Sequence, residues 1–155
     1  MLVLLGPSSG KITGQKKALD LLVGSLCGEE ILVLDRTKLK GSRFLNYLIR
    51  IIKVNASRYY LSSSRTNYGF LIELPMILKA IIQNKPLICH IHGSDFDEFL
   101  RKNFIARFVY ARPQVVVCLI HEFFTDPIEK LLRKKVFVVD NFVDLDMSLE
   151  NIQKD

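Results

Sequence analysis

The sequence predicts an α/β protein, a doubly wound and mostly parallel sheet of about six strands with helices on both faces. Three observations carry that expectation. Six short apolar runs alternate with five helical patterns along the 155 residues. The runs are continuously apolar instead of alternating, as burial on both sides of a sheet requires. Polar turns follow the first, third and fourth runs, at the carboxyl ends of strands, where open α/β sheets bind their ligands.

The elements follow in order. Leu2–Leu5 reads as a buried strand, and Thr13 to about Leu26 as a helix with Ala18, Leu19, Leu22, Val23 and Leu26 on one side. Ile31–Leu34 is the second strand, and Ser42 is placed to cap the basic helix after it. Tyr59–Leu61 is the third strand. The polar loop Ser62–Asn67 leads into a helix from about Gly69 to Ile82, where Pro75 implies a kink or a restart. Leu87–Ile91 is the fourth strand, Phe96–Tyr110 a helix with Asp95 as its cap, and Val115–Ile120 the fifth strand. A helix over Pro127–Lys134 precedes the last strand, Val136–Val139. Periodicity then dissolves, so residues 1–144 form the domain and 145–155 a weakly acidic tail or the start of a linker.

Composition sets the frame: 49% hydrophobic and 25% charged residues suit a soluble globular domain. The three cysteines, Cys27, Cys89 and Cys118, are odd in number, apolar in setting and without CxxC spacing, so they read as reduced, buried thiols of a cytoplasmic protein. Met1–Leu5 stops at Gly6-Pro7 with no basic stretch before it, unlike a secretory leader. No run approaches the roughly 20 apolar residues of a membrane helix. The net charge of +6 is concentrated: Arg36 to Arg58 holds seven basic residues and no acidic one. Phe44, Leu45, Leu48, Ile49, Ile51 and Ile52 lie among them, making an apolar helix with basic edges. It is either a packed helix with a solvated rim or a patch for an anionic surface, with Lys40, Arg43, Arg50 and Lys53 as its contacts.

Four constellations bear on chemistry. Gly6-Pro7-Ser8-Ser9-Gly10-Lys11-Ile12-Thr13-Gly14 is a glycine-rich strand-to-helix turn whose N–H groups can meet an anion or a substrate. It is not a nucleotide-triphosphate loop: three residues, not four, separate Gly6 from Gly10-Lys11, and Ile12 stands where a Ser or Thr holds magnesium. Nor is it a GxGxxG fingerprint, although Asp35 ends the second strand as a ribose-binding acid would. Gln15, just inside the helix, can offer its amide to a sugar hydroxyl. The pair His90 and His92 shares one side of an extended segment, and without a set third ligand it reads as hydrogen-bonding, not metal-binding. The loop Ser62–Gly69, with Arg65, Thr66 and Asn67 at its centre, gathers hydroxyls, an amide and a guanidinium suited to a polyhydroxylated or phosphorylated ligand, or it is a solvated Ser-rich loop with Asn67 as a cap. His121-Glu122 lacks the second histidine of a zinc protease, and no Gly-x-Ser-x-Gly elbow is present.

Taken together, Gly6–Gln15, Ser62–Gly69, His90–Phe96 and Asn141–Asp144 resemble, in order, the amino-terminal half of a GT-B glycosyltransferase of family 4, the group of capsule and lipopolysaccharide sugar transferases. The resemblance covers about Leu2 to Asp144. It implies that Gly10 and Gly14 approach the acceptor and the donor diphosphate, and that His92 is the catalytic residue beside the transfer centre. Arg65, Thr66 and Asn67 match an acceptor-side loop, and Gln15, His90 and Asp95 join the substrate-binding set. Asn141–Asp144 is similar to the NGVD turn into a second domain, with Phe142 in place of the glycine.

The implied function is sugar transfer from a nucleotide-diphosphate sugar to a glycan or lipid-linked acceptor in cell-surface polysaccharide synthesis. The donor is a substrate, and no cofactor or metal is expected. The second domain that grips the donor is not encoded in these residues, so little activity is expected of the chain alone. A truncated gene, a single domain of a longer enzyme, or a subunit with a donor-domain partner would each account for that. By analogy with enzymes that act on lipid-linked acceptors, the basic patch implies a peripheral position on the inner face of the plasma membrane. The alternative is a non-enzymatic α/β module that holds an anionic surface or partner through residues 36–58; nucleic acid is the least favoured partner.

Overall fold

The computed structural model describes residues 1–9, 13–26, 28–39 and 42–139. The strands are β1 (Leu2–Gly6), β2 (Ile31–Asp35), β3 (Arg58–Ser63), β4 (Leu87–Ile91), β5 (Val115–Leu119) and β6 (Phe137–Val138). They form one sheet in the order β2-β1-β3-β4-β5-β6, and every neighbouring pair is parallel. The helices are α1 (Gly14–Ser25), α2 (Ser42–Lys53), α3 (Asn67–Ile82), α4 (Phe96–Lys102), α5 (Phe104–Tyr110) and α6 (Thr125–Leu132), with 3-10 turns at Arg36–Lys38 and Glu122–Phe124. This is a Rossmann-like, doubly wound α/β fold.

Right-handed crossovers decide which face each helix covers. The β1-to-β2 step runs toward one edge and every later step runs back across the sheet, so α1 lies on one face and α2 to α6 on the other. The packing agrees. Val3, Leu5, Leu61, Cys89 and Val117 share the main core with Tyr47, Met76, Leu100, Val109 and Ile128. Leu2, Leu4 and Tyr60, the alternate strand positions, pack with Leu19 of α1 in a smaller one. Coverage is therefore uneven. Among the described residues α1 is alone on its face, and there Ile88 and Phe137 remain 39% and 58% exposed.

Several local expectations change. The helix expected over Phe96–Tyr110 is two helices, because Asn103 leaves helical geometry and its side chain accepts from Ala106 N at 3.0 Å to cap α5. Pro75 neither stops nor restarts α3, which runs unbroken from Asn67 to Ile82. The carbonyl that proline deprives of a partner belongs to Leu71, which is 60% exposed on the outer side of the helix, so the missing bond is not buried. The last helix starts two residues early and ends at Leu132, since Arg133 turns to φ 53°. Ser42 is the first helical residue of α2 and so does not cap it. Gly10, Cys27, Lys40, the Asn141–Asp144 turn and the 145–155 tail lie outside the described residues. Cys89 and Cys118 are free, buried thiols. No described helix is long and apolar enough to cross a membrane.

Candidate functional site

The strand order reverses between β1 and β3, so the crevice outside their carboxyl ends is the expected ligand position of this topology. Arg36, the residue after β2, reaches across the end of β1 to fill its floor. Its Nη1 donates to the Ser62 carbonyl at 2.8 Å and to Glu73 Oε1 at 2.5 Å, and its Nη2 donates to Gln15 Oε1 at 3.3 Å. Glu73 is fully buried on the inner side of α3, and its Oε1 also accepts from Ser64 N at 2.7 Å. Burial pushes the Glu73 carboxyl up to about 7, against the opposing pull of Arg36 and of the Ser64 N–H. Desolvation outweighs the combined pull of Arg36, the Ser64 N–H and the Tyr110 hydroxyl.

The wall of the crevice comes from the loops after β3 and β4. Arg65 donates to Asp95 and so ties the two loops together. Asp95 holds the cap position of α4 but makes no capping bond, so its expected role as a helix cap gives way to this pairing. The guanidinium of Arg65 occupies the space that a Cβ at Gly93 would need. Thr66, not Asn67, caps α3: its Oγ1 accepts from Gly69 N at 3.1 Å. Asn67 is the first helical residue, and its Oδ1 accepts from Asn103 Nδ2 at 3.3 Å. A Cβ at Gly69 would collide with the Ser64 side chain, so glycine here lets the loop fold over the helix start. The result is a cleft of about 180 Å³ lined by Gln15, Arg36, Ser64, Arg65, Thr66 and Asp95. It continues on one side past Pro7, Thr37 and Tyr68, and on the other past Asn67, Glu98 and Lys102, through spaces of about 280 Å³ each.

Asp35 folds the first loop instead of waiting for a ribose. Its Oδ1 accepts from Ser8 N at 3.3 Å, Thr37 N at 3.0 Å and Thr37 Oγ1 at 2.7 Å, and Ser9 Oγ lies 2.8 Å from that same hydroxyl. Burial alone would raise the Asp35 carboxyl, but hydrogen bonds from Ser9, Thr37 and Ser8 hold it well below the usual carboxylate range.

The two histidines separate into different environments. His90 is 2% exposed on the α1 face of β4, with Nδ1 2.8 Å from the Tyr60 hydroxyl. Burial lowers its pKa, offset in part by the Val139 backbone, so the ring is neutral. His92 is half-buried, its ring 4.2 Å from that of His90, next to Gly93 and the Arg65 wall. His121 is exposed, and its Nδ1 accepts from Phe123 N at 3.3 Å. No group of three His, Cys, Asp or Glu side chains among the described residues is arranged to hold a metal ion.

The structure thus gathers Gln15, Arg65, Thr66 and Asp95 around one cleft, with Asn67 in its extension. It keeps His90 beneath the surface and leaves Gly14 exposed at the start of α1 with open space around it. Arg43 and Arg50 line a different groove, of about 560 Å³ between β2 and α2, and Lys53 is exposed at the end of α2. Sequence reasoning missed Arg36 and Glu73 as site residues and held Ser64 only as one hydroxyl of the 62–69 loop. For Glu73 a signal was present: it is the one acid in α3 and stands three residues after Phe70 and three and four before Met76 and Ile77, on the apolar side. Compared with family models, curated proteins and solved structures, the chain matches none.

Proposed function

We propose that this chain is the acceptor-binding half of a GT-B-type sugar transferase. It holds a glycan or lipid-linked acceptor in the crevice at the β1/β3 switch point while a second, donor-binding unit presents a nucleotide-diphosphate sugar. The acceptor hydroxyl attacks the anomeric carbon, the nucleotide diphosphate leaves, and the hydroxyl proton passes to a base or to solvent. The chain's own residues bind and orient the acceptor, and the resemblance assigns His92, at the end of β4, to the transfer centre.

The observation that carries the reading is the pairing of both guanidinia in the cleft. Arg36 donates to Glu73 and Arg65 to Asp95, so their N–H groups are held in fixed directions. Gln15, Ser64 and Thr66 add an amide and two hydroxyls in the same small space. Sugar hydroxyls are donors and acceptors at once, and a cleft that offers both kinds of partner suits them. The test is titration of the folded chain with cell-surface oligosaccharides by calorimetry and by NMR shift mapping, with uridine diphosphate and inorganic phosphate for comparison. Glycan-induced shifts at Gln15, Ser64 and Thr66, weakened by Arg65→Ala, are expected. Binding of phosphate with none of any glycan would remove the acceptor reading.

A further inference from the structure

We infer that the outer face of the helical layer, formed by α2, α3 and α5, docks in the plane of an anionic lipid bilayer. The inference stands apart from the sugar cleft. On α2 the exposed apolar stripe is Leu45, Ile49 and Ile52, at i, i+4 and i+7. On α3 the outermost ridge is Leu71, Leu78 and Ile82, opposite the buried Glu73, Met76 and Ala80. On α5 it is Phe104 and Phe108. The stripes are neighbours: Lys79 of α3 donates to the Ile52 carbonyl at 2.5 Å, and Asn103 at the cap of α5 bonds Asn67 at the start of α3. The most protruding side chains are Ile82, Ile52 and Phe104, at 81%, 71% and 71% exposure. An apolar area continuous over three helices exceeds the scattered residues of an ordinary monomer surface.

Charge selects the occupant. Neither α2 nor α5 contains an acidic residue, and the single acid of α3, Glu73, faces inward and is fully buried. Lys53, Lys79 and Arg107 lie on the same three helices as the stripes, and Arg43 and Arg50 line the neighbouring groove between β2 and α2. Asp97 and Glu98 on α4 are each paired with a basic residue of their own helix. A second copy of this face would set these cations against one another in an isologous contact, which disfavours a homodimer. Protruding apolar ridges edged by Lys and Arg, on helices too short or too polar to span, match the in-plane insertion of interfacial helices beneath anionic headgroups.

The test is co-sedimentation of the chain with vesicles of phosphatidylcholine alone and of phosphatidylcholine with phosphatidylglycerol. Binding to the anionic vesicles only, weakened by salt and about five-fold by each neutralised Arg50 or Lys53, is expected. The double variant Ile52→Asp, Ile82→Asp should abolish it while circular dichroism is unchanged. Because the sequence contains no tryptophan, Phe104→Trp adds a single reporter whose emission should shift to the blue on anionic vesicles. Charge reversal at Lys16 and Lys17, on the opposite side of the sheet, should leave binding intact. Equal loss from that control would overturn the docking face in favour of unspecific attraction. No vesicle binding, with a dimer on size exclusion that Ile82→Asp dissociates, would overturn the lipid in favour of a protein interface.

Discussion

Glu73→Gln changes almost nothing in shape and removes one titration, so it isolates the electrostatics beneath the cleft. Burial raises the Glu73 carboxyl from 4.5 to about 7. One pKa unit corresponds to about 1.4 kcal/mol, so the pH-dependent contribution of this group is about 3 kcal/mol. Below pH 4.5 the group is protonated whether the chain is folded or not, and the contribution is fully present. Between 4.5 and 7 the unfolded chain has released its proton and the folded one has not, so stability falls as pH rises, and above 7 the loss is complete. Glutamine is neutral throughout. Relative to the parent, Glu73→Gln should therefore gain about 3 kcal/mol between pH 4.5 and 8, read as the difference between urea midpoints followed by circular dichroism. Losing the bond to Arg36 moves the whole difference curve up or down without tilting it. His90, whose pKa is lowered by burial, tilts stability the other way as pH drops, but equally in both proteins, so it cancels. A flat difference would show that burial does not control Glu73. A difference of opposite slope would show that the ion pair with Arg36 outweighs burial.

Arg36→Ala strips the partner from a buried carboxylate and should cost about 3–5 kcal/mol in thermal or urea unfolding at pH 8, with Arg36→Lys recovering only part because one ammonium cannot serve Ser62, Glu73 and Gln15 together. Asp95→Asn breaks a solvent-exposed pair and should cost at most about 1 kcal/mol of stability, while calorimetry shows a clear loss of glycan affinity as Arg65 loses its tether. Gly69→Ala forces the Ser64 side chain aside and should destabilise by about 1–3 kcal/mol, with NMR shifts concentrated in residues 62–69.

Much of the sheet was legible because parallel strands buried between layers leave unbroken apolar runs, and each of the six appears within a residue or two of its expected place. The helix after β4 was harder. Phe96 to Tyr110 keeps an apolar stripe across Asn103, and only the capping bond to Ala106 makes that asparagine a boundary. The cleft was partly legible: Gln15, Arg65, Thr66 and Asp95 are polar residues just beyond strand ends, which topology alone draws together. Arg36 was hidden among seven basic residues that read as one patch, although its neighbours in that run point to a separate groove. Nothing local distinguishes an arginine that turns inward toward a carboxylate 37 residues away from one that stays in solvent. His90 and His92 share one side of the chain, yet differ in burial: Tyr60, from the neighbouring strand, holds His90 beneath the surface while His92 stays half-buried.

Helix α3 links the features that the two proposals use. Its inner face carries Glu73 under Arg36, its capped start builds the cleft through Thr66 and Gly69, and its outer ridge presents Leu71, Leu78 and Ile82. Those duties are compatible only on a helix held rigidly, and α3 is held by Phe70, Met76, Ile77 and Ala80 in the main core. On the docking proposal a bilayer on the outer ridge would lie alongside the cleft entrance, since the helix that would touch lipid is the one whose first turn lines the site. A lipid-linked acceptor would meet the cleft by diffusion in the membrane plane and not from bulk solution. That converts two encounters into one and raises the effective acceptor concentration without any new contact in the cleft. Removing the docking face should accordingly lower turnover on a lipid-linked acceptor in vesicles far more than on its water-soluble analogue, a separation that damage to the cleft itself would not produce.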